Sequence, residues 1–190
     1  NDSVALQKTS SVLTCGSWIY FKLTGVIGQH ISEASAPWVD IASKSISTEL
    51  IELYGLTEFA EKIPPVLTDS QSPLSLQASS ELGIPAHTPV VMSPYDILAT
   101  ATGCGAIADS EAFVILGTTI CPGIVIRSVD LTGEAAGLNL VTGESNTYLR
   151  ALPTLTGTSA LTWAMETLAY STVDELGKAA ATAQPGAGGV

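Results

Sequence analysis

Basic side chains are scarce. Lys and Arg together number 7 against 18 Asp and Glu, a formal net charge of -11 over 190 residues. That balance argues against nucleic acid or an anionic membrane as a partner, because both select for Lys and Arg. Cysteine is limited to Cys15, Cys104 and Cys121. They have no paired spacing for zinc and no even number for a disulfide framework, so buried, reduced thiols are expected. The histidines are His30 and His87, each close behind a breaker (Gly28 and Pro85). Neither has a Cys, His or carboxylate at ligand spacing, so no metal ligand is assigned and both are expected at the surface. Long apolar runs are missing too: the longest is interrupted by Gly117, Pro122 and Gly123, so no membrane span is expected. The start has no charged n-region followed by an apolar stretch, so no signal peptide is expected in this stretch. No internal repeat is evident.

The richest stretch of what remains is Val90 to Ile126. Val90, Val91 and Met92 form a short apolar strand that Ser93-Pro94 ends, since proline has no N–H for a ladder. Asp96 follows, ahead of Ile97, Leu98, Ala99 and Ala101, which suit the start of a buried helix. An aspartate there has two uses: it caps the helix by accepting backbone N–H bonds, or it faces a cleft as a general base. Ala112 to Leu116 and Ile120 to Ile126 are apolar, rich in β-branched residues and bounded by turn residues, which predicts two strands of a hairpin. Gly117-Thr118-Thr119 joins them. Glycine lets the backbone approach an anion, and hydroxyls with exposed N–H groups bind phosphate oxygens.

With these residues in view the chain resembles the FGGY carbohydrate kinases, of the xylulokinase and glycerol kinase type, over nearly its whole length. Trp18 to Gly25 (WIYFKLTG) is similar to the family's W-x-x-x-K/R-L-T-G. Ile31 to Ser35 with Trp38, Val39 and Asp40 resembles its D-x-S-x-A-S…D segment, and Leu82 to Val90 its LGLPxGTPV. Asp96 then falls on the family's catalytic aspartate, and Leu116-Gly117-Thr118-Thr119 on its phosphate hairpin. Tyr148 to Ala151 and Gly157 to Trp163 resemble the segments that enter the second domain.

The resemblance implies an α/β chain of the actin-like ATPase (ribonuclease H-like) fold, with parts of two domains flanking an interdomain cleft. Residues 1–108 would close the sugar-side domain and 109–190 open the ATP-side domain, with the change near Ala108 to Ser110. It further implies ATP-dependent phosphorylation of a sugar or polyol hydroxyl in the cytoplasm, with ATP and Mg²⁺ as cofactors. Asp96 would be the general base, and Gly117, Thr118 and Thr119 would contact the ATP phosphates. An acidic chain is compatible with ATP, because helix termini, backbone amides and Mg²⁺ handle phosphate locally. Ile97 stands where xylulokinases commonly carry Asn, and Ser93-Pro94-Tyr95 where the family is Gly-rich. A ketose such as a pentulose remains the expected acceptor, with D-xylulose itself in doubt and a polyol open. A homodimer is also open.

The family's N-terminal D-x-G-T loop and C-terminal adenosine motif are absent, and the chain runs from Asn1 to a Gly-rich end. The expectation is therefore an internal segment of a kinase of more than twice this length, inactive by itself. A non-catalytic sugar- or nucleotide-binding relative of the same fold is the alternative.

Elsewhere, Val12, Cys15 and Ile19 repeat at helical spacing with Gly25 as a stop, and Trp18 and Phe21 are expected in a core or interface. Ser47 is expected to cap a helix running to Tyr54, Thr57 another before Pro64-Pro65, Ser75 the helix Leu76 to Leu82, and Ser159 a helix through Leu168. Leu67 to Pro73 reads as a surface loop. Gly137 to Val141 reads as a strand between turns at Thr132-Gly133-Glu134 and Thr142-Gly143-Glu144-Ser145. Asp40, Asp109 and Asp130 read as solvated or capping residues, Gly103 and Gly105 as allowing close helix packing, and the Ala- and Gly-rich last nine residues as flexible.

Overall fold

The computed structural model describes residues 3–132, 136–144 and 146–189. After a short helix α1 (Ser3–Lys8), helix α2 (Cys15–Thr24) begins where the Thr14 side chain accepts the Ser17 N–H. It ends at Gly25, whose φ of 78° is open to a residue without Cβ. Helix α3 (Ile31–Ser35) buries Ser32, Ala34 and Ser35. Strands β1 (Val39–Asp40) and β2 (Ser45–Ile46) pair antiparallel, with Val39 opposite Ile46. Helix α4 (Thr48–Leu53) starts at the expected cap, the Ser47 hydroxyl accepting the Leu50 N–H, an arrangement worth about 1 kcal/mol.

Thr57 departs from expectation. It lies inside a 3₁₀ turn, Thr57–Lys62, whose cap position is Leu56 and has no side-chain bond. The segment Leu67 to Pro73 departs as well. Its last part is strand β3 (Gln71–Pro73), antiparallel to β4 (Pro89–Val91), with Gln71 opposite Val91. Between them lies α5 (Leu76–Leu82), bounded by Ser75 and Gly83 as expected. Helix α6 (Asp96–Gly103) follows and buries Leu98 and Ala101.

Strands β5 (Ala112–Leu116) and β6 (Ile120–Ile126) occupy the predicted positions. With β7 (Leu138–Val141) and β8 (Tyr148–Ala151) they form a four-stranded sheet in the order β5-β6-β8-β7. The turn expected at Thr132-Gly133-Glu134 falls partly outside the described residues, as does Ser145 of the turn after β7. The chain closes with α7 (Ser159–Leu168) and α8 (Val173–Ala180). Ser159 is the first residue of α7 and not its cap; Thr158 holds that position without a side-chain bond. The Gly-rich end carries a 3₁₀ turn at Ala187–Gly189.

The chain divides into two compact units, Asn1–Phe113 with Gly123–Arg150, and Val114–Pro122 with Ala151–Val190. In the first unit, Ala34, Val39 and Val141 form a buried cluster against which Ile31, Trp38, Val66 and Tyr148 pack. The Ser35 hydroxyl accepts the Val141 N–H at 3.0 Å, which ties α3 to β7 through a buried polar pair.

Other expectations are corrected by burial. Cys15 and Cys104 are exposed, and only Cys121 among the cysteines is buried. Trp18 is 54% exposed, which takes it out of the core of this unit and leaves the face of α2 that carries it uncovered. A methyl group added at Gly103 or Gly105 would meet nothing within 4 Å, so neither serves close packing; Gly105 takes φ 84° just beyond α6. Asp40 and Asp130 are local caps, as expected: Asp40 accepts the Ser43 N–H, and Asp130 the N–H and hydroxyl of Thr132. These bonds favour the charged form and hold both carboxyl groups below their usual range.

Candidate functional site

Asp96 is the first residue of α6, and its side chain is exposed. It is not the cap: Tyr95 holds that position. Among the described residues, the Asp96 Oδ1 accepts the adjacent Ile97 N–H, at 2.7 Å. Proline at position 94 and the break after β4 explain why the strand gives way here to a helix that starts on a carboxylate. Negative charge in the first turn suits the helix dipole. The carboxylate is thus oriented by its own helix and keeps an oxygen for an external group.

Asp96 lines a cleft of about 960 Å³ together with Thr14, Gly16, Glu33, Tyr95 and Thr100. Glu33 is a second carboxylate in this cleft that sequence reasoning did not single out. Its Oε2 accepts the Thr14 hydroxyl and, at 3.3 Å, the Ser17 hydroxyl. Thr14 and Ser17 are joined at 3.0 Å, so both ends of the clamp are fixed to the start of α2. A methyl group on Gly16 would stand 3.0 Å from Glu33 Oε1, and glycine at that position leaves this oxygen room. The available signal was the pairing of a capping Thr at 14 with a carboxylate in the next helix, but only the folded chain brings them together.

His30 also departs from expectation. It is half-buried, and its Nδ1 caps α3 by accepting the Ser32 N–H at 3.1 Å. Burial disfavours the imidazolium and lowers its pKa, against an opposing pull from Glu33. His87 is exposed, as predicted.

Gly117, Thr118 and Thr119 belong to the second unit, at the tip of the β5–β6 hairpin. The Gly117 N–H donates to the Thr119 carbonyl at 3.0 Å, and the Gly117 carbonyl accepts the Thr158 N–H at 2.8 Å. Thr118 and Thr119 are exposed, and neither hydroxyl is hydrogen-bonded among the described residues. Their hydroxyls can therefore donate to an anion. No group of three His, Cys, Asp or Glu side chains able to hold a metal ion occurs among the described residues. No helix among them is long and apolar enough to cross a membrane.

The chain matches no protein-family model. In sequence it is 34% identical over 102 residues to an erythritol kinase of Brucella abortus (strain 2308), covering 53% of this chain and 20% of that one. It is 28% identical over 129 residues to a probable L-xylulose kinase of Pasteurella multocida, covering 65% and 26%. In structure it superposes on a xylulose kinase from Rhodospirillum rubrum with a TM-score of 0.84 at 18% identity, covering 98% of this chain and 39% of that one. A Brucella ovis kinase described as a xyloylose kinase gives a TM-score of 0.78 at 23% identity, covering 93% and 36%. These likenesses show the actin-like ATPase fold of sugar kinases. The chain spans roughly a fifth to a third of the length of the curated relatives it matches.

Proposed function

We propose that the chain is part of a carbohydrate kinase of the FGGY family, and that it carries the catalytic base and a phosphate turn for ATP-dependent phosphorylation of a sugar or polyol hydroxyl; the sugar-kinase relatives and the shared fold support this reading. The observation that carries this reading is Asp96, an exposed carboxylate at the first residue of α6 that opens onto a cleft of about 960 Å³. The acceptor we propose is a four- or five-carbon polyol or ketose. The sequence relatives named for erythritol and L-xylulose support it. The cytoplasm is the proposed compartment, and residues 1–108 and 109–190 are the proposed parts of the two kinase domains.

A sugar hydroxyl is a weak nucleophile at neutral pH, so the enzyme must hold it in line with the γ-phosphate while a carboxylate takes its proton. A loose phosphoryl transition state asks for positioning and charge stabilisation more than for covalent help. Asp96 suits the first task, since the Ile97 N–H fixes one oxygen and leaves the other to accept the hydroxyl proton. The Thr118 and Thr119 hydroxyls suit the second, as donors to phosphate oxygens on a turn braced by Thr158. Mg²⁺ would neutralise phosphate charge. It is usually held by one or two carboxylates together with the nucleotide's own phosphates, so the lack of a three-ligand cluster among the described residues is no obstacle.

The test is a panel of tetritols, pentitols and pentuloses assayed with ATP in the enzyme that contains this chain, wild type beside Asp96→Asn. Acceptor-dependent formation of a phosphate ester that the variant loses supports the reading. Acceptor binding with no ester formed would favour a binding protein of the same fold.

A further inference from the structure

The peptide that delivers Asp96 to α6 is tied to α3 by a side-chain relay. The Tyr95 N–H donates to the Ser32 Oγ at 2.9 Å, across 63 residues of chain. Ser32 is fully buried, and its Oγ lies 2.7 Å from the His30 Nδ1. The Ser32 backbone N–H also points to that nitrogen, at 3.1 Å. A backbone N–H can only donate, so Nδ1 is the acceptor and the ring proton sits on Nε2. The Ser32 hydroxyl, which receives the Tyr95 N–H, therefore gives its own proton to Nδ1. Every partner in the relay has one role available.

We propose that His30 and Ser32 are positioning residues for Asp96, the neutral His30 ring orienting the Ser32 hydroxyl so that its oxygen anchors the Tyr95 N–H at the start of α6. The inference rests on the reading of Asp96 as the base. Protonation of His30 would turn Nδ1 into a donor. It would then oppose the Ser32 N–H and weaken the α3 cap, and the Ser32 hydroxyl would lose the acceptor that orients it toward the Tyr95 N–H. The charged groups near the ring are Glu33 on α3, which favours the imidazolium, and Glu144 beyond β7, which lines the same cavity of about 450 Å³. Burial outweighs the pull of Glu33 and favours the neutral ring.

Two experiments test the relay. Amide hydrogen exchange on this chain should show the Tyr95 N–H losing roughly tenfold protection in Ser32→Ala and in His30→Phe, the scale of one hydrogen bond. His30→Asn, whose side-chain oxygen can take over the acceptor role, should recover most of it. If Ser32→Ala loosens the whole chain equally, the His30→Phe and His30→Asn pair decides. Unchanged Tyr95 protection in His30→Phe, or equal loss in both His30 variants, overturns the relay. In the whole enzyme, Ser32→Ala should lower kcat roughly 10- to 100-fold, the cost of a slightly misplaced base, with KM for ATP little changed. The acid limb of the kcat profile should shift in His30→Asn. Turnover kept in Ser32→Ala while Asp96→Asn abolishes it defeats the positioning inference alone; turnover kept in Asp96→Asn defeats the assignment of the base itself.

Discussion

Gly157 approaches Gly117 so closely that a methyl group on Gly157 would collide with the Gly117 carbonyl oxygen. The same methyl would lie 2.8 Å from the Thr118 carbonyl oxygen, so the segment leading into α7 rests backbone to backbone on the hairpin turn. Both contacts are with main chain and cannot be relieved by a side-chain rotation.

Gly157→Ala should therefore push the turn aside and break the bond from the Thr158 N–H to the Gly117 carbonyl. The expected cost is roughly 1–3 kcal/mol, the usual range for overpacking. Amide exchange at Thr158 should accelerate sharply while protection in α3 and α6 stays as in wild type. Unaltered exchange at Thr158 would show that the turn tolerates the added carbon.

Thr118→Val removes an exposed hydroxyl and keeps the β-branched shape. If the turn holds ATP phosphates, the variant should raise KM for ATP several-fold, by about the 1 kcal/mol of a single hydrogen bond, and leave KM for the acceptor within error. A change confined to the acceptor would move the turn out of the nucleotide site.

His30 makes stability depend on pH in a definite direction. Burial lowers its folded pKa beneath the ordinary value of about 6.5. Between those two values the unfolded chain binds more protons, so stability rises with pH there. The contribution is fully present above about 6.5 and is lost as pH falls through the folded value. The urea midpoint should decline between about pH 7 and pH 5 in wild type and decline less in His30→Asn. Parallel curves would mean that the ring does not titrate differently on folding.

What the sequence disclosed follows from where local chemistry decides. The ends of β5 and β6 were legible because an apolar, largely β-branched run meets Gly117 and resumes after Thr119. Helices α4 and α5 were legible from a serine cap at one end and a glycine near the other. Strand β3 was not: Gln71-Ser72-Pro73 has no strand propensity of its own, and β4 imposes the pairing. Helix α8 was missed although its signal is present, a capping Thr172 with Glu175 three residues on: Thr172 accepts the Glu175 N–H, Glu175 accepts the N–H of Ser171 just before the cap, and Asp174 pairs with Lys178 at 2.7 Å. The position of Asp96 at the start of α6 was legible from Pro94 just before it and the apolar residues just after it. The clamp on Glu33 and the relay from His30 were not, since both need α3 folded beside residues far along the chain.

The proposed transfer of the acceptor hydroxyl's proton to Asp96 is open to direct measurement. Its most direct test is the single-turnover rate of phosphate-ester formation in the enzyme that contains this chain, wild type against Asp96→Asn, with acceptor binding measured alongside. The variant should bind the acceptor within a few-fold of wild type and react roughly 10²–10⁴-fold more slowly, the weight of general-base catalysis. A variant that reacts at the wild-type rate would contradict the account and leave Asp96 as no more than the charged first residue of α6.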